Sequence, residues 1–151
     1  MRVAVGCDPN AFPLKSEVTE ELESLGHEVS DFGADDPVYA NVVIAVAEAV
    51  ARGDYDRGVV MCGTGIGASI AANKVPGAYC ALVTDAYQAE RAALSNNANM
   101  IAMGQQVTGN KVGRLMASVY MTNTPNYDPS GRSGPKVQRI YDYAADHEIR
   151  D

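Results

Sequence analysis

Apolar positions along the chain follow two alternating rhythms. Short runs rich in valine, isoleucine and alanine are separated by longer stretches with apolar residues every three to four positions. Arg2–Gly6, His27–Phe32, Arg57–Met61, Ala78–Val83 and Asn99–Met103 read as strands. Phe12–Leu25, Val38–Arg52, Ser69–Lys74, Asp85–Leu94 and Val107–Met121 read as helices, and Lys136–His147 as a last one. Gly26 and Gly53 stand just past two helices, where glycine takes the left-handed conformation that ends them. Gly33–Pro37 reads as a turn, and a loop rich in Asn, Pro and Gly precedes the last helix.

Strand–helix alternation over the whole length predicts a parallel sheet with helices on both faces. Right-handed crossovers then make it a three-layer αβα, Rossmann-like sandwich around a five-stranded parallel sheet. Residues 1–151 read as one domain, without internal repeat or linker. In such sheets ligands bind beyond the carboxyl ends of the strands. That rule selects Cys7–Asp8, Cys62–Gly67, Thr84–Asp85 and Gly104–Gln106.

Composition narrows the classes of partner. The 151 residues carry 12 basic and 19 acidic side chains, a net charge of −7, which argues against nucleic acid or an anionic membrane. No stretch reads as a signal peptide or a membrane span, so a cytoplasmic location is expected. Three cysteines (Cys7, Cys62, Cys80) are an odd number and read as free thiols, Cys7 and Cys80 as structural ones. There are two histidines, His27 and His147.

The densest chemistry is CGTGIGAS (Cys62–Ser69), between a strand and a helix. Gly63, Gly65 and Gly67 let the backbone turn tightly and aim N–H groups at one spot, an anion site. A nucleotide-binding loop is the plain alternative, with Asp85 as a ribose acid, but the spacing is GxGxG and not GxGxxG. Cys62 at the mouth of the loop reads either as packing or as a reactive thiol. As a thiolate it could take a carbon-bound proton beside a carbonyl while the N–H groups hold the resulting enediolate oxygen.

GCDPNAFPLK, DFGADDPVYA, CGTGIGASIAANKVPG, TDAYQAERAALSNNANMIAMG and SGRSGPKVQRI, in this order, resemble the type B ribose-5-phosphate isomerases and their galactose-6-phosphate isomerase relatives. The resemblance spans nearly the whole chain. It implies metal-free, cofactor-free interconversion of aldose and ketose phosphates through a cis-enediol. It also implies a homodimer or dimer of dimers with the active site at the interface, and a C-terminal helix, about 136–147, packed on a partner subunit. Carried onto this chain, Cys62 is the base that moves a proton between C1 and C2. Thr64 assists exchange between O1 and O2, and Gly63, Gly65 and Gly67 carry the anion hole. Asp8, Asn10, Ser95 and Asn96 fall in the substrate shell. Arg132 and Lys136 grip the phosphate, with Arg139 nearby. Lys15 is expected on the solvated face of the first helix.

Several positions depart from that pattern. Asp8-Pro9-Asn10-Ala11 lacks a histidine after the aspartate, and Ser95 stands where the family has its ring-opening histidine. Gln106 replaces an arginine, and Asp36 a tyrosine. A pentose 5-phosphate closes a furanose and needs a proton shuttle to open it, for which histidine is suited near neutral pH. A tetrose 4-phosphate has its O4 esterified and forms no furanose. The expected reaction is therefore D-erythrulose 4-phosphate to D-erythrose 4-phosphate. The alternatives are a ribose-5-phosphate/ribulose-5-phosphate isomerase, or one subunit of a heteromeric hexose-6-phosphate isomerase.

Overall fold

A computed structural model describes residues 1–147, and residues 148–151 of the expected domain lie outside the described residues. The five strands are β1 (Arg2–Cys7), β2 (Glu28–Asp31), β3 (Arg57–Cys62), β4 (Cys80–Leu82) and β5 (Met100–Gly104). They form one all-parallel sheet in the order β2-β1-β3-β5-β4. The helices are α1 (Phe12–Ser24), α2 (Tyr39–Ala51), α3 (Ile66–Ala72), α4 (Ala86–Leu94), α5 (Gln105–Thr108), α6 (Asn110–Asn123) and α7 (Gly134–Asp146), with two short 3₁₀ turns at Pro9–Ala11 and Thr124–Asn126.

Side chains alternate across the sheet, and each face builds its own core. Val3, Val5, Val59, Met61, Ile101 and Met103 meet α1, α4 and α6 through residues such as Leu14, Ala92 and Tyr120. Ala4, Val60, Cys62, Met100 and Ala102 meet α2 and α3 through Val43, Val46, Ala68 and Ala72. Both layers are fully buried, at about 1.5–3 kcal/mol per large apolar side chain. Tyr120 fits the apolar layer because its hydroxyl donates to Ala98 O (2.6 Å).

Three expectations change. The helix expected over Val107–Met121 is two, α5 and α6, because Gly109 adopts φ +71 and breaks the run. α3 begins at Ile66 and not Ser69, so the glycine loop is shorter than the motif. Lys15 is not on a solvated face. It is 3% exposed, with Nζ 2.7 Å from both carboxylate oxygens of Asp31 at the end of β2. The amine caps the end of the edge strand, and only the fold brings that acid within reach.

The strand order reverses between β1 and β3. The crevice at a doubly wound sheet's switch point therefore opens beyond Cys7 and Cys62.

Candidate active site

β3 runs through Cys62 into Gly63-Thr64-Gly65, and Gly65 turns the chain into α3 at φ +79. No side chain would fit there: a Cβ on Gly65 would strike Leu82 and the Met103 backbone. The turn brings the Gly65 N–H onto Cys62 Sγ at 3.2 Å, which orients the sulfur. Thr64 is exposed, and its Oγ1 accepts from Ile66 N (3.3 Å). On the β5 side, Gly104 is held against the Thr64 backbone, and Gln106 N donates to Gly63 O (2.9 Å). On the α2 side, the Tyr39 hydroxyl lies against Gly67.

Asp8 follows the Cys7–Met61 pair of neighbouring strands, and its N–H donates to Met61 O (3.3 Å), which puts it beside Cys62. Asp8 is buried, and its carboxylate caps the Pro9–Ala11 turn by accepting from Ala11 N (3.2 Å). Asn10 is exposed on that turn. Asp8, Asn10, Cys62, Gly63, Thr64, Gly65 and Gly67 thus gather at the carboxyl end of the sheet. A thiol, a hydroxyl, a carboxylate and loop N–H groups at one spot suit proton transfer beside a carbonyl.

The other expected residues lie at the opposite end. α4 returns from the carboxyl to the amino end, and Ser95 and Asn96 follow it, ahead of β5. Cys62 pairs in register with Gly104 at the far end of β5. Five strand residues at ~3.3 Å each separate the two groups by on the order of 16 Å. Ser95 Oγ accepts from Arg91 Nη1 (3.2 Å). Arg91, Ser95, Asn126, Asp128, Arg132 and Ser133 line a polar cavity of about 330 Å³. Asn96 lines a second cavity, of about 200 Å³, with Asn73, Tyr79 and Tyr141. Lys136 is exposed on α7 and lines neither cavity.

Neither histidine is hydrogen-bonded to the glycine loop of its own chain. His27 precedes β2 at the amino end of the sheet, 3.4 Å from the N-terminal amine, and burial holds its pKa below the usual value. His147 follows α7 and stacks on Tyr143 at 4.0 Å. Asp36, where a tyrosine was expected, accepts from Val38 N (2.8 Å) and Asn41 Nδ2 (2.9 Å). The Asn41 bond, then the Val38 bond, hold its pKa below the usual carboxylate value. Cys7 and Cys80 are buried, and burial pushes their thiols up to about 11 and about 12. Sequence reasoning did not single out Tyr39 or Arg91. An arginine four residues before Ser95 on a helix shares its face, which is the signal that would have found Arg91.

A doubly wound αβα domain with a thiol at the start of a glycine loop at the switch point has the build of a small-molecule enzyme. The family model described as Ribose/Galactose Isomerase matches residues 3–140, and the chain belongs to that family. A D-erythrulose-4-phosphate isomerase of Pectobacterium atrosepticum is 36% identical, with 98% of this chain and 99% of the relative covered. The Ribose-5-phosphate isomerase B of Escherichia coli is also 36% identical, with 92% and 93% covered. The solved ribose-5-phosphate isomerase B of Clostridium thermocellum superposes with a TM-score of 0.88 at 34% identity, covering 98% of this chain and 100% of that one. The protein is a sugar-phosphate isomerase.

Proposed function

We propose that the substrate pair is D-erythrulose 4-phosphate and D-erythrose 4-phosphate. Relatives named for the tetrulose and the pentose phosphate are equally similar at 36%, so overall similarity does not choose between them. The observation that carries the reading is Ser95, a hydroxyl held by Arg91 where a ring-opening base would stand, while neither His27 nor His147 adjoins its own chain's glycine loop. An open-chain tetrose phosphate needs no such base.

In the forward direction the Cys62 thiolate removes a proton from C1 of the ketose. The C1–C2 enediolate forms, and its oxygen is held by the loop N–H groups. The thiol returns the proton to C2, and Thr64 carries a proton from O1 to O2. Asp8 holds a substrate hydroxyl. The site is completed by a second copy of the chain, whose Ser95, Asn96 and Arg132 face the first copy's Cys62. Their position at opposite ends of one protomer's sheet supports this. So does an apolar patch beside the loop, where Ile66 and Ile70 are 53% and 58% exposed next to Leu82. The exposed Ile140 and Tyr143 of α7 suit the same interface.

The test is kcat/KM for tetrulose, pentulose and hexulose phosphates assayed side by side on the same preparation. A tetrulose preference that narrows in Ser95→His supports the reading. A pentose or hexose preference of tenfold or more contradicts it.

A further inference from the structure

Arg91 and Arg132 are far apart in sequence but line one polar cavity together with Ser95 and Ser133. Arg91 is oriented from three sides. Nη1 donates to Ser95 Oγ, Nη2 pairs with Glu90 (2.9 Å), and the guanidinium lies over the Tyr87 ring at 5.8 Å. Its Nε is buried with no hydrogen-bond partner. The Glu90 pair is half-exposed on both sides, a weak, solvent-screened contact that an incoming anion can displace. Among the described residues no carboxylate lies in ion-pair range of Arg132. Asp128 also lines the cavity, but its carboxylate accepts from Ser130 N (2.9 Å) and Ser130 Oγ (2.7 Å) and so holds the turn that presents Arg132. These contacts keep its pKa below the usual carboxylate value.

We propose that Arg91 is a phosphate-binding residue and joins Arg132 in the subsite for the substrate's phosphate. The proposal rests on the sugar-phosphate reading and specifies where that phosphate sits. Two planar, permanently charged forks oppose a dianion on a chain of net charge −7, and the Ser95 and Ser133 hydroxyls supply further donors. Arg91 also couples the subsite to Ser95, so phosphate position and the residue standing in for the ring-opening group move together.

The test uses the chain as given and the variants Arg91→Gln, Arg91→Lys, Arg132→Gln and, as control, Lys111→Gln, an exposed residue paired with Glu17 on α1. The readouts are KM and kcat for the sugar phosphate, and the affinity for inorganic phosphate by calorimetry, with sulfate as a second probe. Arg91→Gln should weaken phosphate binding and raise KM by about 10- to 100-fold, with kcat within threefold; a loss of one charged phosphate contact is of this size. Lys111→Gln should change neither by more than threefold. Arg91→Lys keeps the charge and the stem, so it decides the matter if Arg91→Gln does not fold. It should still bind phosphate at least fivefold more weakly, because a point charge does not replace the fork. Unchanged phosphate affinity in the folded Arg91 variants overturns the proposal, as does a loss confined to kcat. Phosphate affinity is read without turnover. The subsite can therefore fail while the isomerase reading stands, and the reverse.

Discussion

Cys62 is oriented by one hydrogen bond, from the Gly65 N–H, and Asp8 follows the strand that runs beside it. If it is the base, Cys62→Ala should lower kcat by roughly 10²–10⁴-fold with KM changed little, as for other lost general bases. Near-normal kcat in that variant would remove the assignment. Lys15 is a different case. Its charge suggested a solvated residue, yet it closes the end of β2 through Asp31, and Asp31 also accepts from Gly33 N (2.8 Å). Lys15→Met should cost about 1.5–3 kcal/mol in chemical denaturation, the range for a hydrogen bond to a charged group, and leave KM unchanged. A stability loss under 0.5 kcal/mol would show that the pair adds nothing. At this scale the ends of the predicted strands marked Cys62 and Asp8, and the family resemblance gave Thr64 its role. The sequence could not mark the Lys15–Asp31 or Arg91–Ser95–Arg132 groupings, because those depend on which elements become neighbours.

The glycine loop shows what an element contributes. It is fixed from β5, where Gly104 packs against the Thr64 backbone, and from α2, where Tyr39 covers Gly67. A methyl at residue 104 would enter the space of the loop's own peptide, so Gly104→Ala should cost about 1–3 kcal/mol and displace Thr64. Thermal melts and kcat measured together check this, and a variant with wild-type stability and turnover would contradict it. The strands and long helices were legible because their apolar periodicity persists over whole elements. The split between α5 and α6 was not, since Gly109 inside an otherwise helical pattern is a weak signal. The α3 start was missed for the opposite reason. A glycine-rich motif reads as loop, yet Gly67 is already helical.

At the level of the whole molecule, two buried thiols, with the buried Tyr120 phenol that burial also pushes up, weaken the fold at alkaline pH. Burial raises Cys7 to about 11 and Cys80 to about 12 from an ordinary value of 9.0, so each favours the folded state while neutral. That contribution is complete below about pH 9 and is lost as pH rises through the folded values. Melting temperature should fall between pH 9 and 11, and the fall should be shallower in Cys80→Ala. An identical slope in the variant would locate the alkaline loss elsewhere. The doubly wound architecture was legible from the alternation of strand and helix. Spacing alone did not reveal that the expected site residues lie at opposite ends of the sheet, because motif order along the chain does not show which end a residue occupies; only the family resemblance implied a site at a subunit interface. Cys62 ends β3 at the carboxyl end of the sheet while Ser95 and Arg132 gather at the amino end of β5. If one active site joins the carboxyl end of one copy to the amino end of another, mixing two half-site variants restores activity. Cys62→Ala and Arg132→Ala are each impaired alone, but half of the dimers in an equal, fully exchanged mixture carry one of each. Every such dimer then holds one intact site of two, so kcat/KM should recover to about one quarter of wild type by two-fold symmetry. Activity no greater than the mean of the two parent variants would contradict the shared site.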